Sequence, residues 1–507
     1  MTDGILNYSK VSKTADKQKL LKLKAIIDLG INPYPYSYDK NISSTDFQKK
    51  YVDLKNSEKV ESDVYKIAGR LMLKRNLGKL MFLDIHDEFG KIQVYIEKAT
   101  LPELTQQLLP NLDAGDFLGV EGFVYKTEAG ETSIFAKEIT LLSKSLALLP
   151  EKFHGLADTE LQYRQRFIDL AISPEKREHF KKRSLIISTI RKYFDEKGFF
   201  EAETPVLQPI YGGASAEPFV THHNALDMTL YLKISDELYL KKLIAGGFEK
   251  VYEIAHDFRN EGIDMTHNPE FTMIEWYESY TDYNVQMERT EELFELIAKT
   301  INNGNTDITF KGNKISFKAP FKRLSIYDAL KDKLKVDADK ITKEDLIAKL
   351  KELHIECEEK ASKGELLHLL FEETCEADLI QPTFVIDHRL EVSPLTKTHR
   401  KNSELVERFE MYAGGKELAN CYSELNNPID QYQRLKQQEE NREYDAEAMK
   451  MDENFVHAME VGMPPMGGVG VGIDRLVMFM TGTESIKDVI LFPTLKNVNN
   501  EPKKEKK

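Results

Sequence analysis

One segment of the sequence combines a guanidinium group, carboxylates and aromatic rings. The stretch VYEIAHDFRNEGIDMTHNPEFTMIEWY, residues 251–277, predicts two strands around a polar loop. Alternate side chains of a strand share a face, so Glu253 and Arg259 lie together on the first strand. The matching set on the second strand is Phe271, Met273, Glu275 and Tyr277. A planar guanidinium can hold a carboxylate and a phosphate oxygen together and neutralise charge at a pentavalent phosphorus. A surface hairpin with scattered ion pairs is the alternative interpretation.

A glycine-rich strand is the second candidate. In GGVGVGIDR, residues 467–475, alternation places Gly468, Gly470 and Gly472 on one face and leaves that face as bare backbone. A flat ring or a sugar can lie against it, with Arg475 placed over a base as a cation on a π face. Close packing of two backbones explains the glycines equally. The segment matches neither the dinucleotide-binding fingerprint nor the P-loop.

A pair of glutamates forms the third candidate, within ERFEMYAGGKELANCYSELN, residues 407–426. AGGK indicates a hairpin turn, and pairing across a four-residue loop brings Glu410 and Glu417 together on one face. Adjacent carboxylates repel unless one is protonated or a cation joins them, so the pair is either a magnesium site beside a triphosphate or solvated. Asn420, Tyr422 and Glu424 have the opposite parity from Glu417, so one shared pocket requires a β-bulge.

These segments follow a region of short alternating strands. KIAGRLML, LMFLDIH, KIQVYIE, FLGVEGFVY and SIFAKEITLL predict a five-stranded barrel of the oligonucleotide-binding type between about residues 66 and 145. Alternation exposes Phe82, Gln93 and Arg70 on its surface. A ring, an amide and a guanidinium are suited to stacking on unpaired bases and reading their edges. The same residues are also ordinary for a partly covered surface.

Composition limits the class of protein. The 507 residues carry a net charge of -14, which argues against coating nucleic acid through bulk charge, so RNA contacts must come from local basic patches. A predicted helix over 16–29 has one such face (Lys17, Lys19, Lys22, Lys24), which is either solvated or aligned with an RNA backbone. The three cysteines form no C-x-x-C pair, and His222 and His223 lack partners at metal-ligand spacing. The sequence has no apolar run typical of a membrane span or a signal peptide.

Changes in pattern predict the domain organisation. We expect a helical extension (1–65), an oligonucleotide-binding barrel (66–146), a linker (147–165), a catalytic domain (166–496) and a disordered charged tail (497–507). Within the catalytic domain, a lysine- and glutamate-rich helical insertion is expected around 335–375, without motif residues.

The order of these segments resembles the three signature motifs of class II aminoacyl-tRNA synthetases. They are the helix EKREHFKKRSLIISTIRKYFDEKGFF with EAETPVLQP, then FRNE with HNPEF, then GVGVGIDR. YGGASAEPFVTHHNALD, SDELYLK and ANCYSELN are similar to the lysyl-tRNA synthetase branch, and the resemblance runs from roughly residue 15 to 495. It implies an α+β fold, with an anticodon-binding barrel and a six-stranded antiparallel catalytic sheet flanked by helices. It also implies a cytoplasmic homodimer that activates L-lysine with ATP and transfers it to the 3′ end of tRNA(Lys).

The resemblance also implies roles for individual residues. Arg259 would hold the lysine carboxylate and the α-phosphate, and Arg475 would be the second catalytic arginine. Lysine would be bound by Gly213, Glu237, Glu275, Tyr277, Asn420, Tyr422 and Glu424. ATP would be bound by Arg259, Glu261, His267, Phe271, Gly472 and Arg475, and Mg²⁺ by Glu410 and Glu417. In the barrel, Arg70, Phe82 and Gln93 would read the anticodon.

Three functional alternatives accompany this interpretation. A paralogue could lysylate a protein or make a signalling nucleotide, but the complete barrel is useful chiefly for tRNA. A scaffold that only binds RNA should lack part of the set Arg259, Glu410, Glu417 and Arg475, and the sequence keeps all four.

Two residues depart from the wider class II pattern. Many class II enzymes have Glu at the position of Asp474, whereas the lysine branch often has Asp there. Cys421 stands where some relatives have Gly.

Overall fold

The computed structural model describes residues 2–150, 158–358, 360–442 and 449–497. They form two compact units, Met1–Lys176 and Arg177–Lys507. Within the described ranges, no helix has both the length and the apolar character needed to cross a membrane.

Among its described residues, the first unit contains six α-helices and a barrel. Its helices are α1 (Thr2–Val11), α2 (Lys17–Asp28), α3 (Ser44–Lys50), α4 (Glu103–Leu108), α5 (Thr159–Arg164) and α6 (Arg166–Ile172). Its strands are β1 (Lys59–Leu77), β2 (Leu80–His86), β3 (Lys91–Glu97), β4 (Phe117–Lys126) and β5 (Thr132–Ser143). The strands close into a barrel in the order β1-β2-β3-β5-β4, which confirms the predicted five-stranded architecture.

The barrel interior follows the alternation of the sequence. Met81, Leu83 and Ile85 of β2 are buried in the barrel core, whereas Phe82 between them is half-buried on the outer face. The first strand begins at Lys59, ahead of the expected boundary at residue 66. α5 lies within the expected linker, of which residues 151–157 are outside the described part of the chain.

The prediction of a solvated or RNA-facing lysine face on α2 is wrong for Lys19 and Lys22. Lys19 is buried, and its ammonium donates to the carbonyl oxygens of Ala114 at 2.8 Å and Ala147 at 2.9 Å. Lys22 forms an ion pair with Asp113. A lysine among apolar neighbours can satisfy its charge on backbone oxygens, so two cations of this face hold the fold of the first unit.

The second unit contains ten helices and thirteen strands among the described residues. Its strands are β6 (Phe200–Glu201), β7 (Leu207–Gln208), β8 (Val220–His223), β9 (Met228–Leu232), β10 (Lys250–Phe258), β11 (Glu270–Ser279), β12 (Asp307–Phe310), β13 (Asn313–Ser316), β14 (Lys322–Ser325), β15 (Thr383–Ile386), β16 (Arg408–Ala413), β17 (Lys416–Ser423) and β18 (Met466–Gly472). Its helices are α7 (Pro174–Glu196), which starts just before the division, α8 (Glu237–Ala245), α9 (Tyr283–Ile301), α10 (Ile326–Leu334), α11 (Lys343–Glu352), α12 (Lys363–Cys375), α13 (Pro428–Asn441), α14 (Glu453–Val461), α15 (Ile473–Thr481) and α16 (Ile486–Val489).

The main sheet has eight strands in the order β14-β15-β16-β17-β18-β11-β10-β6. Its six central strands are antiparallel, as the resemblance predicted. The prediction missed the two short edge strands, β14 and β6. β14 is parallel to β15 and β6 is parallel to β10, so the whole sheet is mixed. Strands of two to four residues carry too little alternation to be found in a sequence. Apolar side chains of the sheet pack with α7, α9 and α15 in one core.

The hairpin between β16 and β17 supplies the bulge that the parity argument required. Ala413 pairs with Lys416 across a two-residue turn at Gly414 and Gly415, which both have positive φ, rather than across a four-residue loop. The register then shifts: Tyr412 lies opposite Glu417, and Met411 lies opposite Ala419. The extra residue lets Glu417 share a cavity with Asn420, although their parities differ.

The helical insertion begins earlier than expected. α10, α11 and α12 enclose an apolar core that starts at Ile326, ahead of the expected residue 335, and that also includes Val385 and Tyr412 of the main sheet. The insertion also contributes two side chains that were not assigned to the site from the sequence, because His368 and Glu372 of α12 line the cavity described below. Except for Asn497, the expected tail lies outside the described residues.

Candidate active site

A cavity of about 760 Å³ lies over the exposed face of the central sheet in the second unit. Every residue that was assigned to lysine, ATP or magnesium lines it. They are Gly213, Glu237, Arg259, Glu261, His267, Phe271, Glu275, Tyr277, Glu410, Glu417, Asn420, Tyr422, Glu424, Gly472 and Arg475. Glu253 is not among the lining residues, because its buried carboxylate accepts from Lys233 at 2.8 Å.

The glycines of β18 form part of the cavity floor. A Cβ atom on Gly468 would lie 2.3 Å from the Tyr277 ring and 2.4 Å from Oε1 of Glu424, far inside van der Waals contact. Gly472 meets no such obstacle, because a Cβ there would have only Arg475 within 4 Å. Gly468 is therefore required so that a buried glutamate and tyrosine can approach the strand, and Gly472 leaves a flat surface open to a ligand.

The guanidinium of Arg259 lines the cavity without an ion-pair partner among the described residues. Its guanidinium carbon lies 5.1 Å from the centre of the Phe271 ring, and its nitrogens contact the Ile234 carbonyl at 3.4 Å. Among the described residues, no carboxylate lies within ion-pair distance of this guanidinium. The ring and the carbonyl fix its plane while its charge remains available to an anion.

Three buried glutamates line one end of the cavity: Glu237, Glu275 and Glu424. The ammonium of Lys241, fully enclosed on α8, pairs with Glu237 at 2.5 Å and with Oε2 of Glu424. Oε1 of Glu424 is buried without a hydrogen-bond partner among the described residues. The Tyr277 hydroxyl donates to Oε2 of Glu275 at 2.9 Å. Lys241 was missed from the sequence, although its spacing of four from Glu237 on a helix is an ion-pair signal.

At this end of the cavity the carboxyl groups outnumber the cations. Burial, reinforced by neighbouring carboxylates, raises the pKa of Glu275 to about 8. Burial also raises the pKa of Glu424 to about 8, because the Lys241 cation only partly offsets it. One lysine ammonium faces three carboxylates, so the pocket is completed by a ligand that carries ammonium groups.

Glu410 and Glu417 form a second acidic group. The carboxylate of Glu410 is held by the Arg408 guanidinium and by the Tyr412 hydroxyl, which donates at 2.7 Å. These contacts hold the pKa of Glu410 below its usual range despite burial, whereas burial and the charge of Glu410 raise the pKa of Glu417 to about 7. Two hard carboxylates fit a magnesium ion, and Oε2 of Glu417 also faces the Arg475 guanidinium at 3.8 Å. Sequence reasoning missed Arg408, which also donates to Asn420 at 3.1 Å.

Arg475 belongs to a chain of contacts at the other end of the cavity. It donates to Nε2 of His267 at 2.8 Å, so the neutral ring carries its proton on Nδ1, which donates to Asp264 at 2.8 Å. The preceding residue, Asp474, is buried, accepts from the backbone of Thr272 at 2.7 Å and pairs with Arg183. Asp474 thereby fixes the start of α15 to β11 and positions Arg475.

The outer face of the barrel, in the first unit, presents an aromatic surface. The rings of Phe82 and Tyr95 lie 5.3 Å apart, and the guanidinium of Arg75 lies 5.5 Å from the centre of Phe82. Arg70 is not beside Phe82. Its backbone lies opposite His86 at the far end of β2, and its guanidinium carbon lies 4.3 Å from the centre of the Phe117 ring. The side-chain oxygen of Gln93 accepts from Ser133 at 2.9 Å. Arg75 was missed because alternation does not resolve which of two nearby arginines faces a given ring.

The two adjacent histidines contact their own hairpin. Nε2 of His222 lies 3.4 Å from Asp227, and Nδ1 of His223 accepts from the backbone of Leu226 at 3.2 Å. Neither belongs to the two clusters of potential metal ligands found among the described residues.

Comparison with known proteins places both units in families. Residues 158–496 match the model of class II tRNA synthetases for D, K and N, and residues 65–142 match that of an OB-fold nucleic acid binding domain. A lysine–tRNA ligase of Thermoanaerobacter pseudethanolicus is 49% identical over 501 residues, which cover 98% of this chain and 99% of that protein. The lysine–tRNA ligase of Syntrophomonas wolfei is 47% identical, with 99% and 100% covered, and that of Clostridium botulinum is 48% identical, with 97% and 98% covered.

Proposed function

Since the chain belongs to the lysine–tRNA ligases of the class II synthetase family, we propose that it activates L-lysine with ATP and transfers it to the 3′ end of tRNA(Lys). The observation that carries the proposal is the buried carboxylate of Glu424, whose Oε1 has no partner among the described residues. It lies at the end of a cavity that also contains a free guanidinium and a magnesium-type carboxylate pair. Such a carboxylate binds a substrate whose side-chain ammonium is long enough to reach it. A substrate with a neutral side chain binds more weakly, because it leaves the buried charge unpaired.

The lysine substrate is held at both of its ammonium groups. We assign the ε-ammonium to Glu424 and to the Tyr277 oxygen, which can accept while its proton is donated to Glu275. The α-ammonium is assigned to Glu275 and the Gly213 carbonyl. The remaining members of this pocket are Glu237, Asn420 and Tyr422. Ornithine, shorter by one methylene, should lose only about 1–3 kcal/mol.

ATP is placed at the opposite end of the cavity. Phe271 and Arg475 would enclose the adenine, with Glu261, His267 and the open backbone at Gly472 as further contacts. Glu410 and Glu417 would hold Mg²⁺, which when bound neutralises part of the triphosphate charge. The contact between Arg475 and His267 pre-orients both groups, so little reorganisation is needed when the nucleotide binds.

Activation is a displacement at the α-phosphorus. A carboxylate oxygen of lysine forms a bond to that phosphorus, and the bond to the bridging oxygen breaks, so pyrophosphate leaves and lysyl-adenylate remains. Arg259 holds the attacking carboxylate and the α-phosphate in line and neutralises the charge that develops between them. A ribose hydroxyl of the tRNA then attacks the acyl carbon, AMP leaves, and no protein side chain is assigned as nucleophile or general base.

Exchange of labelled pyrophosphate into ATP tests the proposal. We expect L-lysine to support exchange and aspartate or asparagine to support almost none, because neither offers an ammonium that reaches Glu424. Stronger exchange with aspartate or asparagine would overturn the assignment of substrate.

Lysine binding should be linked to proton release. At neutral pH Glu275 and Glu424 are partly protonated, because their pKa values are about 8, and an ammonium ligand favours their ionised form. Affinity for lysine therefore rises as the pH increases toward 8. Calorimetry in buffers of different ionisation enthalpy measures the protons directly, and Glu424→Gln should release fewer. Proton uptake, or an affinity independent of pH, would contradict this linkage.

The barrel is proposed to bind the anticodon through Phe82, Gln93 and Arg70, with Arg75 as an addition from the structure. We expect Phe82→Ala to weaken tRNA charging by about 1–3 kcal/mol, the value of one lost base stack, while exchange without tRNA is unchanged. Tyr36→Ala, which removes a fully exposed ring from the same unit, is the control. An equal fall in exchange would show that Phe82 acts on the fold or the active site instead.

We also propose that the chain works as a homodimer in the cytoplasm. Two groups of exposed apolar residues in the second unit support an interface: the stacked rings of Phe200 and Phe248, and Leu207 with Val220 on a small three-stranded sheet. Soluble monomers seldom expose such groups without a partner. Sedimentation should give about twice the chain mass of 58.4 kDa, and a mass of one chain would contradict the dimer.

A further inference from the structure

Two histidines lie behind Glu410 and have no part in the proposed reaction. His368 comes from α12 of the helical insertion, and the fully buried His388 follows β15. One nitrogen of each ring and one carboxylate oxygen of Glu410 lie within 4.8 Å of one another. We propose that His368, His388 and Glu410 form a binding site for a divalent transition metal of the Zn²⁺ class, in the wall of the active-site cavity.

The hydrogen bonds of both rings leave the same nitrogen free. Nε2 of His388 lies 3.1 Å from the Val385 carbonyl, which can only accept, so this nitrogen carries a proton. Nε2 of His368 lies 3.3 Å from the Glu372 carboxylate. The Nδ1 atoms of both rings are buried and without a partner among the described residues. Histidines that bind metals have this arrangement, in which a carbonyl or carboxylate holds the other N–H.

Two cavities adjoin the proposed site. His368 and His388, but not Glu410, line a cavity of about 10 Å³, close to the volume that holds one water molecule. His368 also lines the large active-site cavity, so the site lies between the two spaces. An ion could enter from the side where ATP is proposed to bind, and a water molecule from that cavity could complete its coordination.

Glu410 retains the capacity to bind a metal. Arg408 occupies one position on Oε1 and Tyr412 one on Oε2, whereas a carboxylate offers about four acceptor positions. The local charge is net negative before an ion binds, because the carboxylates of Glu372, Glu410 and Glu417 outnumber the guanidinium groups of Arg408 and of Arg475, which lies 3.8 Å from Glu417. Binding of the ion would also give a partner to the buried Nδ1 atoms of His368 and His388.

The donor set selects the class of metal. Two imidazoles and one carboxylate suit zinc, cobalt or nickel, whereas magnesium prefers oxygen ligands only. The proposed magnesium pair, Glu410 and Glu417, is therefore a different site that shares one residue. On the proposed function, zinc bound through Glu410 would compete with magnesium and slow lysine activation.

Equilibrium dialysis of the full chain against Zn²⁺, without lysine, ATP or tRNA, tests the site. We expect one zinc ion per chain, with the affinity reduced at least about 100-fold in His388→Gln and His368→Gln. Glu372→Gln, which changes only the group that orients His368, should reduce it by about 10–100-fold. The control is His457→Gln on an exposed face of α14. Visible spectra of bound Co²⁺ should show nitrogen ligands in the wild type and lose them in both histidine variants.

Each outcome decides the proposal. Unchanged zinc affinity in His368→Gln and Glu372→Gln would overturn it, as would an absence of binding by the wild type, and the small cavity would then hold water. His368 is only partly buried and Glu372 is exposed, so these two variants remain informative if His388→Gln fails to fold. Zinc binding is measured apart from exchange, so a failure of the proposed function would appear as absent lysine-dependent exchange in the zinc-free chain.

Discussion

We expect Arg259→Ala to slow lysine-dependent exchange of pyrophosphate into ATP by about 10²–10³, as when other preorganised donors to a transition state are removed. The guanidinium is held by Phe271 and the Ile234 carbonyl, and no carboxylate among the described residues neutralises it. Its charge is therefore available to the anions that it is proposed to bind. The loss should appear mainly in kcat, because the charge is needed most at the transition state.

Two comparisons isolate this effect. Arg191→Ala removes an arginine that pairs with Glu201 on the surface and should leave exchange unchanged. Arg259→Lys keeps the charge but loses the planar fork, so it should recover only part of the rate. Nearly normal exchange in Arg259→Ala would remove this residue from the reaction.

Glu424→Gln should reduce kcat/KM for lysine by about 10²–10⁴, which corresponds to the roughly 3–5 kcal/mol lost when one partner of a buried ion pair is removed. The variant keeps the size of the side chain but removes the charge that the ε-ammonium requires. KM for ATP should change little, because Glu424 lies at the opposite end of the cavity from the proposed adenine site. Steady-state exchange at varied lysine and ATP concentrations separates the two effects.

A control substitution shows whether the loss of kcat/KM for lysine is specific to the lysine pocket. Glu249→Gln neutralises an exposed carboxylate and should behave as the wild type. Because Glu424 also pairs with Lys241, thermal unfolding of the variant must be recorded to separate binding from folding. Equal increases in KM for lysine and ATP would argue against a lysine-specific role.

Strand parity predicted much of the site from the sequence. It placed Phe271, Glu275 and Tyr277 on one face of a strand, and all three line the cavity. It placed the β18 glycines on one face, and at Gly468 that face meets Tyr277 and Glu424 at a distance that excludes a Cβ atom. Parity works here because these strands are long and regular, so the two-residue period is not interrupted.

Parity failed where the backbone departs from that period. The bulge near Glu417 arises from a tight Gly414–Gly415 turn and the pairing beyond it, which depend on contacts across strands. Residues distant in sequence were missed for a related reason. Arg408 and His368 reach the cavity from a neighbouring strand and from the insertion, and no local pattern links them to the motif residues.

Burial of charge was also hard to predict. Lys19 looked like part of a solvated face, but its ammonium bonds to two carbonyl oxygens in the interior of the first unit. A sequence shows where charges recur along a helix, whereas the position of a distant loop that accepts them is fixed only by the fold.

A crystal structure of the chain with L-lysine and a non-hydrolysable ATP analogue measures the proposed chemistry most directly. We expect the ε-ammonium within hydrogen-bond distance of Glu424, and the lysine carboxylate between the α-phosphorus and the Arg259 guanidinium. Lysine bound elsewhere, or an ε-ammonium without contact to Glu424, would contradict the assignment of this cavity as the site of lysine activation.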